Sequence, residues 1–167
     1  EFGVRKQSQI QEAINRGKSV HKAVEYYFKT GQILDIDPYN EWLKSFLEYP
    51  NFDGIECIVS EFLMVDRRYD IAGTLDFLLK NRNTNELYLC DIKTKNPGYV
   101  KQKAKTMTQL GGYLSLLYCN KPEVEIKQCR IYYVTNKETR QEIYDPISCL
   151  ELFEVARKKY HEKQLPF

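Results

Sequence analysis

The chain has no apolar stretch long enough to span a bilayer, and its first residues show none of the pattern of a signal peptide. That predicts a protein with no membrane partner. No C-x-x-C pair occurs: Cys57, Cys90, Cys119, Cys129 and Cys149 are scattered and odd in number. A disulfide framework is thereby disfavoured, and reduced thiols in an intracellular setting are expected. That setting is the cytoplasm or nucleoid, an organelle, or a phage-infected cell. Zinc or an iron–sulfur cluster would require tighter ligand grouping, so neither is expected. Internal repeats, low-complexity tracts and linkers rich in Gly, Pro and Ser are absent too. Charge of one sign is also missing: the formal net charge is +2, which by itself does not predict a nucleic-acid binder. No ATPase motif is found. Gly17-Lys18-Ser19 superficially resembles a P-loop, but Glu12 stands where its first glycine belongs, and the segment lies inside helical sequence.

What is present fits one globular α/β domain over residues 1–167, with 43% apolar and 29% charged residues. Glu1-Phe2-Gly3 runs at once into helical sequence, compatible with vector-derived residues or an upstream truncation. The spacing of Ile10, Ala13, Ile14, Val20, Val24, Tyr27 and Phe28 predicts a first helix ending at Gly31. A second is expected over Pro38 to Tyr49. Strands follow over Ile55 to Val65, up to Asp76, and near Lys93. A helix is predicted from Lys101 to Tyr118, a strand over Arg130 to Thr135, a turn at Asn136 to Thr139, a short strand around Glu142 to Tyr144, and a last helix from Ile147 to Glu162. The order α-α-β-β-β-α-β-β-α predicts a central mixed β-sheet flanked by helices.

Two places carry chemistry. Ile71-Ala72-Gly73-Thr74-Leu75 leads to Asp76, and Leu87-Tyr88-Leu89-Cys90 leads to Asp91-Ile92-Lys93. Each acid is expected to close a strand, with the polar segment Asn81 to Glu86 as the turn between them. The pair would bring two carboxylates together at one end of a sheet, with Lys93 on the same face as Asp91. Hard oxygen ligands beside an ammonium suit Mg²⁺ or Mn²⁺ and a phosphodiester. Lys93, Lys95, Lys101, Lys103 and Lys105 fall in a thirteen-residue window without an acid. The plain reading of such a run is a solvated face; next to two metal-binding acids it reads as a phosphate contact.

Four further features accompany these residues. Gly17-Lys18-Ser19-Val20-His21 lies in the first helix, Glu61 in the strand before Gly73-Thr74-Leu75-Asp76, Thr94 extends the second motif to Asp91-Ile92-Lys93-Thr94, and Gln109 to Tyr113 forms a Q-x-x-x-Y on the following helix. In that order the set resembles the PD-(D/E)XK nuclease superfamily, in its RecB-like exonuclease branch. That branch includes the mitochondrial genome maintenance exonuclease and phage and bacterial relatives. The resemblance covers residues 17 to 113, about 60% of the chain. Each motif is weak alone, and the ordered set is specific.

The resemblance implies a restriction-endonuclease-like core and a divalent-metal-dependent DNA nuclease, an exonuclease acting on ends or single strands. It implies His21, Asp76, Asp91 and the Ile92 backbone carbonyl as metal ligands, and Lys93 as the catalytic lysine. Glu61 would ligate a second metal or hold a water. Gln109 and Tyr113, one helical turn apart, would contact the substrate backbone or brace the active-site strand. Lys95, Lys101, Lys103 and Lys105 would track DNA, single-stranded or at duplex ends, and a helicase or recombination partner would be a separate chain. Plainer readings stand beside these: His21 paired with Glu25, Glu61 on the surface, Gln109 and Tyr113 as helix packing, and His161 at the surface. An endonuclease of the same fold, on DNA or RNA, and a non-catalytic nucleic-acid-binding module are the rival functions.

Overall fold

A computed structural model describes residues 2–49, 52–99 and 102–162, with side chains from residue 7 onward. Among the described residues nine elements follow one another: α1 (Phe2–Thr30), α2 (Asn40–Leu47), β1 (Ile55–Asp66), β2 (Ile71–Asn81), β3 (Leu87–Thr94), α3 (Lys103–Asn120), β4 (Ile126–Val134), β5 (Thr139–Tyr144) and α4 (Pro146–Glu162). The architecture is α/β. The strands form a five-stranded mixed sheet in the order β1-β2-β3-β4-β5, flanked by helices. β1, β2 and β3 form an antiparallel meander. β3 and β4 are joined through α3, the kind of crossover that parallel neighbours require. No helix among the described residues is long and apolar enough to cross a membrane.

Contacts gather the chain into two compact units. The first holds residues 1–53, 92–99 and 132–141; the second holds 54–91, 100–131 and 142–167. In the first unit, α1 packs on α2. Phe46 meets Phe28 edge-on at 6.4 Å between ring centroids and Tyr132 at 5.7 Å. Gly31 ends α1 with φ 71°, its N–H donating to Tyr27 O, a conformation that glycine adopts without strain.

In the second unit, α3 lies on β1 and β2 and α4 packs on α3. Leu110, Leu114 and Leu117 repeat at helical spacing and are buried. Each contributes roughly 1.5–3 kcal/mol by leaving water. Gly111 permits the close approach of α4: a Cβ there would sit 2.0 Å from the Cys149 carbonyl oxygen. No disulfide joins the five cysteines among the described residues.

One expectation about the strands needs correcting. Asp76 and Asp91 were expected to close their strands, yet both lie inside them: β2 runs on to Asn81 and β3 to Thr94. The reason is the apolar run Phe77-Leu78-Leu79, buried throughout, which keeps β2 extended beyond its acid.

Candidate functional site

Strand register assembles the acids of the second unit. β1 pairs with β2 through Ser60↔Phe77 and Phe62↔Leu75, which flank Glu61 and Asp76 and set them opposite each other. β2 pairs with β3 through Phe77↔Cys90, and one step along that register Asp76 faces Asp91. Three carboxylates therefore lie abreast on three neighbouring strands. Glu61 and Asp76 bring carboxylate oxygens within 4.8 Å of each other. Asp76 is 7% and Asp91 1% exposed, whereas Glu61 is exposed. Like charges so close repel, and an interposed cation relieves that repulsion. At that spacing a single cation could touch both carboxylates.

Glu61 has a further peculiarity. Its φ is 49°, in the left-handed region that costs a residue with a side chain roughly 1–2 kcal/mol. The register with β2 is kept at Ser60 and Phe62 on either side of it, and β1 shifts register earlier, between Cys57 and Val59.

The Q-x-x-x-Y helix meets this row. Gln109 Nε2 donates to Asp91 Oδ1 at 3.0 Å and to Tyr113 OH at 2.7 Å. Both amide hydrogens are thus used, one fixing a carboxylate and the other a phenol one helical turn on. Burial pushes the Tyr113 hydroxyl up to about 12, the nearby Asp91 charge adding to the shift. It therefore stays protonated at neutral pH. Gly73, three residues before Asp76, explains the glycine of that motif. A Cβ there would lie 3.0 Å from Leu116 Cδ1 and 3.4 Å from Tyr113 Cε1, so glycine lets α3 settle on β2.

The first unit holds the histidine. His21 Nε2 lies 2.9 Å from the carbonyl oxygen of Ile92. One turn earlier on α1, Gly17 faces Thr94: a Cβ there would be 3.6 Å from Thr94 Oγ1. Four helical residues advance about 6 Å and two strand residues about 6.6 Å, so G-x-x-x-H is spaced to match alternate positions of β3. A carbonyl oxygen only accepts, so the contact is an Nε2–H hydrogen bond, and an ion held by these two atoms would have to replace it. Glu25, the plainer partner for His21, accepts a hydrogen bond from Lys29 Nζ at 2.5 Å.

The lysines divide. Lys93 and Lys95 are half-buried, Lys103 and Lys105 are exposed in the first turn of α3, and Lys101 lies outside the described residues. The first turn of α3 carries no acid, so two cations sit where the helix dipole is positive. The Lys95 backbone is held at both ends. Its N–H donates to Val134 O at 2.8 Å, and its carbonyl accepts from Trp42 Nε1 at 3.0 Å. Arg16, 3% exposed, places its guanidinium 5.1 Å from the Trp42 ring centroid. Neither Arg16 nor Trp42 stood out in the sequence; the single tryptophan was the available signal. His161 departs from its expected surface position. It is half-buried, with its ring centroid 6.2 Å from that of Tyr69, because α4 brings its last turn against the β1–β2 turn.

No protein-family model matches the chain, and no curated protein matches it significantly.

Proposed function

We propose that the protein is a divalent-metal-dependent nuclease that hydrolyses DNA phosphodiester bonds from ends or in single strands. The observation that carries the reading is the row of Glu61, Asp76 and Asp91 across three paired strands, with Asp91 held by Gln109. Asp76 and Asp91 are the first ligands for Mg²⁺ or Mn²⁺. The bound ion would supply charge neutralisation at the phosphate and a lowered pKa for water. Glu61, exposed at the end of the row, would hold a water or a second ion. Gln109 orients the Asp91 carboxylate, the kind of support whose loss typically lowers metal affinity or activity about 10- to 100-fold.

Three groups enter the reading from sequence resemblance: Lys93 as the catalytic lysine, and His21 with the Ile92 carbonyl as ligands. A 2.9 Å hydrogen bond keeps the latter two adjacent, and a bound ion would take its place. The five-stranded mixed sheet is compatible with a restriction-endonuclease-like core. Lys103 and Lys105, exposed at the start of α3, suit phosphate. Lys93 would orient the attacking water or stabilise charge developing on the phosphate, and Tyr113, protonated at neutral pH, can donate to substrate.

The test is degradation of end-labelled single- and double-stranded DNA, a closed circle and RNA, with Mg²⁺, Mn²⁺ or EDTA, alongside Asp91→Ala and Lys93→Ala. Metal-dependent loss of label, abolished in both variants, is expected. Cleavage in EDTA, or cleavage undiminished in both variants, overturns the nuclease reading. Cutting of the circle removes the preference for ends and leaves the hydrolase.

A further inference from the structure

A concave surface lies in the first unit, formed by α2 and the segment before it. Its volume is about 450 Å³, inside the range of roughly 300–1,000 Å³ typical of ligand pockets. Leu34, Leu43 and Leu47 give it an apolar lining, and Ile33, 70% exposed, stands at its edge. Asp35, Glu41 and Glu48 also line it, against a single cation, Lys44. Three carboxylates to one ammonium is an acidic balance in a chain whose formal charge is +2.

The groove is preformed. Asn40, the first residue of α2, donates through Nδ2 to Asp35 Oδ1 at 2.7 Å and accepts from the Ile36 N–H at 2.9 Å. Asp37 N–H reaches the same Asp35 oxygen at 3.1 Å. These bonds fix one wall of the groove to the helix forming the other, so an occupant has little ordering to drive. The Asn40 amide, with the Asp37 N–H, also holds the Asp35 carboxyl below its ordinary range, so it is ionised at neutral pH.

Three carboxyl side chains around an apolar floor select against a polyanion. They favour an apolar side chain flanked by cations, since complementary charge steers the encounter and wrong-sign partners are repelled. We infer that this groove binds a short segment of a partner protein in which an apolar anchor, aliphatic or aromatic, sits between lysines or arginines. The inference stands apart from the nuclease reading, because it uses neither the acids of β1 to β3 nor the lysines after β3.

The experiment records amide resonances of the whole chain while adding the capped peptides Lys-Leu-Lys and Lys-Trp-Lys, their Glu-Leu-Glu and Glu-Trp-Glu counterparts, and a short oligothymidylate. At least one lysine peptide should shift the Leu34, Leu43 and Leu47 amides saturably, with the glutamate peptides at least about tenfold weaker. Glu41→Lys with Glu48→Lys, both exposed positions, should weaken that peptide about tenfold or more, and Ile33→Ser should weaken it by a smaller factor. The inference fails if neither lysine peptide shifts these amides, or if the charge reversals leave binding unchanged. It fails equally if the oligothymidylate occupies the groove in the unaltered protein.

Discussion

The two compact units hold their polar groups by different means. In the second, Glu61, Asp76 and Asp91 are aligned by strand register, and a one-residue slip would turn a carboxylate to the opposite face. In the first, His21 and the Ile92 carbonyl meet because one helical turn matches two strand residues, with Gly17 over Thr94 as the second point of contact. Register is enforced by many backbone bonds together. A helix seated on a strand is enforced by side-chain packing at a few points, and so responds more gradually to substitution.

The largest test of that contrast compares Asp91→Ala with His21→Ala. Removal of Asp91 should lower nuclease turnover on the order of 10³-fold, about 4 kcal/mol in the barrier. Loss of His21 should cost about 10- to 100-fold and be partly recovered at high Mn²⁺. Equal losses would erase the distinction.

A second comparison uses one substitution at two glycines. Gly111→Ala forces a Cβ to within 2.0 Å of the Cys149 carbonyl oxygen and should destabilise by about 3 kcal/mol, read by denaturant unfolding. Gly17→Ala meets its nearest atom at 3.6 Å and should stabilise by up to about 1 kcal/mol through helix propensity. A destabilised Gly17→Ala would show that α1 sits closer to β3 than this spacing argument allows.

Gln109→Ala should weaken Mg²⁺ affinity about tenfold without unfolding the chain, while Tyr113→Phe should leave it nearly unchanged. Calorimetric titration of the metal distinguishes the two. A larger effect from the phenol would make Tyr113, rather than the amide, the support of Asp91.

The smallest effect is one of pH. The Arg68 guanidinium, donating to Asp66 at 2.8 Å and 3.0 Å, holds that carboxyl down to about 2 from its ordinary 3.8. A depressed carboxylate adds stability above its unfolded value, and that stability is lost as pH falls through the folded one. Stability should therefore drop between about pH 4 and pH 2, and Arg68→Ala should flatten that part of the profile. An unchanged profile would show the pair to be without thermodynamic consequence.

The order of all nine elements was legible because each carries its own period, from the stripe of α1 to the β-branched and aromatic run of β4. Ends were less legible. β4 begins at Ile126, four residues before the expected Arg130, because exposed Lys127 and half-buried Gln128 separate buried Ile126 from buried Cys129 and interrupt the apolar run. α2 is confined to Asn40–Leu47, shorter than Pro38 to Tyr49, since Asn40 is engaged by Asp35 and Ile36. Of the candidate site, the motifs named the acids, and the hairpin spacing of Asp76 and Asp91 anticipated their pairing. What sequence spacing did not carry was anything set by backbone geometry alone. The left-handed Glu61, the close packing of α4 over Gly111 and the anchoring of Lys95 by Trp42 belong to that group.

The left-handed backbone at Glu61 has a consequence for selection. Glycine relieves the steric penalty there and asparagine lessens it, so a library sorted only for resistance to unfolding should drift toward those residues. A library sorted for cleavage should keep the glutamate at that cost. Position 61 is thus where selection for folding and selection for activity should pull the same codon in opposite directions.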